Sequence, residues 1–142
     1  MSDFVPPYQS RRDTIITFLQ SRPELHALGL AEEDSVFQAD TAMSPEVRPF
    51  IVVRMGETEA QLAVSSAQPG DLWVYDEFGD YNRASKLCKE ALRLMAEHLV
   101  DVPTQDGRLS QVSDRGVGAD LADDGFDALV IPGHFAAIGN GS

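Results

Sequence analysis

The sequence has little of what supports cross-linking, membrane insertion or export. It contains a single cysteine, Cys88, among 142 residues, and one thiol cannot form a disulfide within the chain. No apolar run approaches the roughly 18 residues that a membrane-spanning helix needs. The first residues lack the basic start and the apolar core of a secretory signal. We therefore expect a protein without disulfides that does not enter a membrane and stays where it is made.

Basic residues are also scarce. The chain has 11 lysines and arginines against 23 aspartates and glutamates, which gives a formal charge of -12. This charge repels a phosphate backbone and argues against a protein that grips DNA or RNA. It does not exclude DNA as a passing neighbour, because an acidic surface lets DNA slide past without trapping it.

Motifs for catalysis, metal binding and cofactor binding are absent from the sequence. The three histidines are far apart and have no second ligand at helical spacing, which argues against a metal site. Asp120, Asp123 and Asp124 are followed by an apolar segment instead of the late glutamate of a calcium loop. We interpret this cluster as a solvated acidic loop. The sequence thus predicts no catalytic residue, no metal ligand and no cofactor.

A second acidic cluster surrounds Gly79 and consists of Asp76, Glu77 and Asp80. Paired carboxylates can perform acid–base catalysis, but no His, Cys or Lys accompanies this group. Asp80 is also placed to cap the helix that follows. We therefore interpret the cluster as a structural turn.

The clearest element is a helix of about five turns from Tyr81 to Leu99. A short strand, Leu72 to Tyr75, comes before it, and the acidic turn around Gly79 connects the two. Cys88 lies on the apolar face of this helix and is predicted to be buried. In the strand, alternate side chains face opposite ways, so we expect one pair to pack inward and the other to be available to a partner. The apolar positions of the helix are Tyr81, Ala84, Leu87, Cys88, Ala91, Leu92, Met95 and Leu99.

The N-terminal part predicts an extended arm over residues 1–9 and then a helix capped by Ser10. The arginines of this region, Arg11, Arg12 and Arg22, are predicted to face water or a partner. A short helical segment is expected from Pro23 to Leu28, closed by glycine.

A hairpin and a meander are predicted in the middle of the chain. Phe50 to Met55 reads as a strand, a turn follows, and Ala60 to Ser66 returns beside it. The sequence Gln-Pro-Gly-Asp at 68–71 predicts another turn, which leads into the strand before the long helix.

The C-terminal part predicts a long acidic loop over residues 102–125, followed by a hairpin. Its strands are Phe126 to Ile131 and His134 to Ile138, joined by a turn at Pro132-Gly133, and residues 139–142 form a tail. The whole chain is then a single α+β domain over residues 1–142. Its antiparallel or mixed sheet, a meander plus a C-terminal hairpin, packs against an N-terminal helix and one long central helix.

Three segments resemble tail terminator proteins of long-tailed bacteriophages, particularly those of phages that infect actinobacteria. They are Pro49–Arg54, Leu72–Asp76 and Gly79–Ala84. In that family a hydrophobic strand of this type ends in an acidic, glycine-containing turn, and an Asp-Tyr pair begins the next helix. The resemblance extends from Pro49 to Leu99, about half of the chain.

The resemblance implies a small α+β subunit that closes into a ring, usually a hexamer, at the tail–neck junction of a virion assembled in the host cytoplasm. Such a ring caps the tail tube, stops its polymerisation and offers its other face to the head–tail connector or stopper protein. DNA passes through the lumen without specific binding, and no membrane, cofactor or catalysis is involved. On this basis we predict eight residues at contacts with the next subunit or the tube: Arg11, Arg12, Arg54, Glu77, Phe78, Asp80, Tyr81 and Arg83.

Two alternatives remain open from the sequence. The first is another neck component, such as a head-closure or adaptor protein, which would share this size and acidity. The second is a small metal-dependent hydrolase that uses Asp76, Glu77 or Asp120.

Overall fold

The computed structural model describes residues 8–38, 48–56, 59–62, 65–105, 107–123 and 128–139. The helices are α1 (Arg11–Ser21), α2 (Pro23–Ala27) and α3 (Tyr81–His98). The strands are β1 (Val36–Gln38), β2 (Phe50–Met55), β3 (Glu59–Leu62), β4 (Ser65–Asp76), β5 (Val102–Thr104), β6 (Gly107–Val117), β7 (Leu121–Asp123) and β8 (Ala128–Gly139).

All eight described strands belong to one mixed sheet. Its main order is β1-β2-β4-β8-β6-β5, while β3 pairs with β4 and β7 pairs with β8. Only the β1–β2 pair is parallel among the described pairs. The two central strands, β4 and β8, are each 12 residues long and run antiparallel along almost their full length.

The three helices cover one face of this sheet. Alternate residues of each strand point to opposite faces, and one set joins the helices in the main core: Ile51 and Val53 of β2, and Leu72 and Val74 of β4. The other set, which includes Phe50 and Tyr75, forms a second cluster that contains no helical residue. We call the face of this second cluster the outer face.

The predicted fold class, α+β with a mixed sheet packed against an N-terminal helix and a long central helix, is confirmed. The helix boundaries follow from local chemistry. The Ser10 hydroxyl accepts a hydrogen bond from the backbone N–H of Asp13 at 3.1 Å and so caps α1. The short helix α2 begins at Pro23 and ends just before Gly29.

The predicted hairpin between Phe50–Met55 and Ala60–Ser66 is wrong. Strand β2 pairs with β4 instead, and the short strand β3 folds onto the beginning of β4. The sheet is therefore not a meander of consecutive strands.

Both proline–glycine turns that the sequence predicts are also wrong. Pro69-Gly70 lies inside β4, and Pro132-Gly133 lies inside β8. The predicted C-terminal hairpin is therefore wrong, because its two strands form one continuous strand. Each proline lies beside the end of a neighbouring strand. The carbonyl of Pro69 accepts a hydrogen bond from the N–H of Gly56, just after β2, and the carbonyl of Pro132 accepts one from the N–H of Gly118, just after β6, both at 2.7 Å. The missing proline N–H therefore interrupts little of the hydrogen-bond ladder.

The glycines of these two pairs are required by close packing inside the sheet. A Cβ on Gly70 would lie 2.4 Å from the ring of Phe135, and a Cβ on Gly133 would lie 2.6 Å from Sγ of Cys88. Any larger residue would collide with the core. Because these glycines have no side chain, Phe135 packs directly against the backbone of β4, and Cys88 packs directly against the backbone of β8.

The long loop predicted over residues 102–125 is wrong as well, since β5, β6 and β7 occupy most of it. Strand β6 carries irregularities in its pairing with β8 between Leu109 and Gln111 and between Asp114 and Val117. Such bulges disrupt the two-residue alternation by which a strand is recognised in a sequence. Asp124, most of the predicted arm over residues 1–9 and residues 140–142 of the predicted tail lie outside the described residues.

Cys88 is buried in the main core, as predicted. Burial away from water raises the pKa of its thiol to about 12. The thiol is then protonated near neutral pH, so alkylating reagents, which attack the thiolate, should not label the folded protein. We expect labelling only after unfolding in urea, followed by mass spectrometry. Rapid labelling of the native protein would contradict this burial.

Among the described residues, no helix is both long enough and apolar enough to cross a lipid bilayer.

Candidate functional site

The junction between β4 and α3 brings five of the eight predicted contact residues together. Strand β4 ends at Asp76, residues 77–80 form a turn, and α3 begins at Tyr81. Gly79 has a φ of 98°, a left-handed conformation that favours glycine at this turn. The acidic turn predicted from the sequence is therefore present.

Asp80 does not cap α3 with its side chain, so that part of the prediction is wrong. Its carboxylate lies 3.3 Å from Nη2 of Arg83 instead. The backbone carbonyl of Asp80 still accepts the first helical N–H, from Ala84, at 3.0 Å. The Asp80 carboxylate therefore interacts with Arg83 and does not accept a hydrogen bond from a backbone N–H in the first turn of α3.

Asp76 and Arg83 form the polar centre of the junction. The Asp76 side chain is 0% exposed, and its two oxygens accept from Nε of Arg83 at 2.8 Å and from Nη2 at 2.5 Å. The backbone N–H of Glu77 donates to the same carboxylate at 2.8 Å. The hydrogen bonds that Arg83 donates to Asp76 raise the pKa of Arg83. This bidentate pair joins the end of β4 to the first turn of α3.

The surface around this pair is acidic and aromatic. Phe78 is 54% exposed and Tyr81 is 49% exposed, so two aromatic side chains within four residues face the solvent here. The Glu77 carboxylate is also exposed and lies 3.4 Å from Nη1 of Arg48. We call Glu77, Phe78, Asp80 and Tyr81 the turn surface.

The predicted arginines occupy different environments. Arg12 is exposed and lies 3.6 Å from the carboxylate of Asp13. Arg11 is only 2% exposed, with Nη1 3.4 Å from the side-chain oxygen of Gln68, so the prediction that it faces water or a partner is wrong. The same prediction is wrong for Arg22, which is buried with its guanidinium over the ring of Phe18. Arg11 lies four residues before Ile15 and Arg22 four residues after Phe18, so the spacing places both arginines on the buried face of α1.

Arg54 lies on the outer face, where its guanidinium is 5.0 Å from the ring centroid of Trp73. In the sheet register Arg54 is opposite Asp71, and Asp71 is opposite His134. Nδ1 of His134 lies 2.7 Å from Oδ1 of Asp71. Arg115, from the bulged part of β6, lies at the same place, so four polar side chains cross the outer face in a row.

A cavity of about 350 Å³ opens beside this row. Its walls include Ala67, Pro69, Asp71, Arg115 and His134. A second cavity of about 230 Å³ adjoins it and includes Arg54. We call the two cavities together the outer cavity. Sequence reasoning missed this site, because its residues come from four strands and only the register of the sheet brings them together.

The outer cavity contains one contact between a histidine and a carboxylate, that of His134 with Asp71. The described side chains that line it include no Ser, Thr, Cys or Lys that could act as a nucleophile beside His134. Within the described ranges, no three His, Cys, Asp or Glu side chains lie close enough to hold a metal ion. The lining combines charged side chains with small and apolar ones, a mixture that also occurs where one protein surface binds another.

The protein is therefore a small α+β domain with two distinctive surfaces. The turn surface follows the end of strand β4, and the outer cavity lies near the beginning of the same strand. No protein-family model matches the sequence, and the search of curated proteins found no match. The fold is similar to that of a chain in the solved structure "Virion of native gene transfer agent (GTA) particle", with a TM-score of 0.68. The two chains are 14% identical over 93% of this chain and 96% of the other. At this identity, the similarity establishes a shared fold.

Proposed function

We propose that this chain is a structural protein of a phage-like virion and that it acts there as the tail terminator. The observation that carries the proposal is the shared fold with a chain of a gene transfer agent virion, which extends over nearly the whole length of both chains. The resemblance of Pro49–Arg54, Leu72–Asp76 and Gly79–Ala84 to tail terminator proteins supports the finer assignment. No bond is made or broken in this role, so the proposal requires no catalytic residue.

In this role, copies of the chain close into a ring, proposed to be a hexamer, on the last ring of the tail tube at the tail–neck junction. The ring stops further addition of the major tail tube protein and offers its other face to the head–tail connector. The turn surface supplies exposed apolar area of the kind found at protein contacts.

The charge of the chain suits a ring around DNA. A net charge of -12 per subunit keeps the lumen repulsive to phosphates. DNA would then pass without being held, which is the behaviour that a tail channel needs. We propose no specific DNA contact and no membrane contact.

Deletion of the gene tests the proposed function directly. We expect virions that carry overlong or irregular tails, because nothing then stops tube polymerisation, and electron microscopy of the lysate measures tail length. A complementing copy of the gene is the control. Tails of normal length that are not attached to heads would instead assign the chain to a head-closure or adaptor role and would reject the terminator.

A further inference from the structure

We propose that the turn surface of one subunit binds in the outer cavity of the next, with Phe78 seated in the cavity and Glu77 facing Arg115. The proposal rests on the proposed function, since it assumes that copies of this chain assemble with one another. It specifies which two surfaces meet, and two independent complementarities support it.

The first complementarity is in shape. Phe78 projects from a tight turn and is 54% exposed, while the larger part of the outer cavity has a volume of about 350 Å³. A cavity of about 150 Å³ already accommodates a benzene ring. The walls are small or apolar at Ala67, Pro69 and Ala136. Burial of the Phe78 ring there would remove apolar surface from water on both sides of the contact.

The second complementarity is in charge. Arg115 and Arg54 border the outer cavity, in a chain with more than twice as many acidic as basic residues. Among the described lining residues, the one carboxylate is that of Asp71, which is already in contact with His134. The turn surface carries Glu77, which is 60% exposed beside Arg48, and Asp80, which is 47% exposed beside Arg83. Opposite charges at the rim of a contact select the partner and its orientation.

The two surfaces cannot meet within one chain. The cavity lies near Asp71 in β4, whereas the turn follows Asp76 at the end of the same strand, about 17 Å further along. In the proposed ring, each subunit presents its turn surface to one neighbour and its outer cavity to the other. Contacts of this kind, between different surfaces of identical copies, generate closed rings when the rotation between subunits closes.

Two single substitutions test the contact, each with a matched control at an exposed position outside both surfaces. Phe78→Ala and Arg115→Glu should each weaken ring formation at least 10-fold, because a buried aromatic anchor and a charged rim are removed or reversed. Val100→Ala and Arg93→Glu, which make similar changes at other exposed residues, should assemble like the wild type. Multi-angle light scattering over a concentration series measures the assembly, and thermal melting verifies that each variant is folded.

A charge exchange separates this contact from a general loss of solubility or stability. Glu77→Arg alone should weaken the ring, and Glu77→Arg combined with Arg115→Glu should restore it, because the pair is again of opposite sign. Rings that form normally in folded Phe78→Ala and Arg115→Glu would overturn this contact and leave the terminator proposal standing. A wild type that stays monomeric even with tail tubes added would overturn both.

Discussion

Replacement of Arg83 by methionine is expected to lower the free energy of unfolding by about 3–5 kcal/mol, because it leaves the buried Asp76 carboxylate without its partner. The reverse change, Asp76→Ala, should cost less, since the Arg83 side chain is 37% exposed and can be hydrated. The double variant should be more stable than Arg83→Met alone, because no charge is then left buried. Urea unfolding measures all three, with the midpoint compared at constant slope.

Arg93→Met provides the control for this series. Arg93 also lies between two carboxylates of α3, those of Glu90 and Glu97, but all three groups are on the solvent side of the helix. Its removal should leave the unfolding midpoint nearly unchanged. If Arg83→Met had an equally small effect, the Asp76–Arg83 pair would not be the link between β4 and α3 that the geometry indicates.

Because Arg83 is bound to the buried Asp76, a substitution of Arg83 cannot be used to test a subunit contact. Arg83→Glu would place a second carboxylate beside Asp76, so a loss of ring formation in that variant would reflect unfolding rather than a lost subunit contact. Arg54 is exposed on the outer face and is suitable for that test.

Gly133→Ala is expected to lower the free energy of unfolding by about 1–3 kcal/mol. Its new Cβ would lie 2.6 Å from Sγ of Cys88 and 3.0 Å from Cδ1 of Leu92, so β8 and α3 must move apart. Cys88→Ala removes the nearer of the two atoms. The double variant should therefore be more stable than the sum of the two single effects predicts.

Thermal or urea unfolding of the four proteins completes this double-mutant cycle. Cys88→Ala alone measures the loss of packing that is unrelated to the collision. Strictly additive effects would show that Gly133 is not required by its contact with α3, and the glycine would then need another explanation.

The helices could be predicted from the sequence because their causes are local. Ser10 reaches the backbone only three residues away, and the apolar residues of α3 recur every three or four positions. The exceptions also have local physical reasons. Asp80 contacts Arg83 instead of capping α3, and Tyr81, predicted on the apolar face, lies in the exposed first turn.

The strands were predicted less well, because proline and glycine usually mark turns in a sequence. Pro69-Gly70 and Pro132-Gly133 look like turns in the sequence but lie within two continuous central strands. A strand can contain these residues when the neighbouring strand ends beside the proline and a side chain packs against the glycine. Neither condition can be read from the sequence. The bulges of β6 concealed that strand in the same way.

By itself, the sequence determined the class of fold, the long helix with its buried cysteine, and the acidic turn that carries Glu77, Phe78 and Asp80. These features depend on residues within a few positions of one another. Only the tertiary structure decided the order of the strands and the outer cavity formed by Arg54, Asp71, His134 and Arg115. Those depend on the register between distant strands, which is set by packing of the whole sheet against its helices.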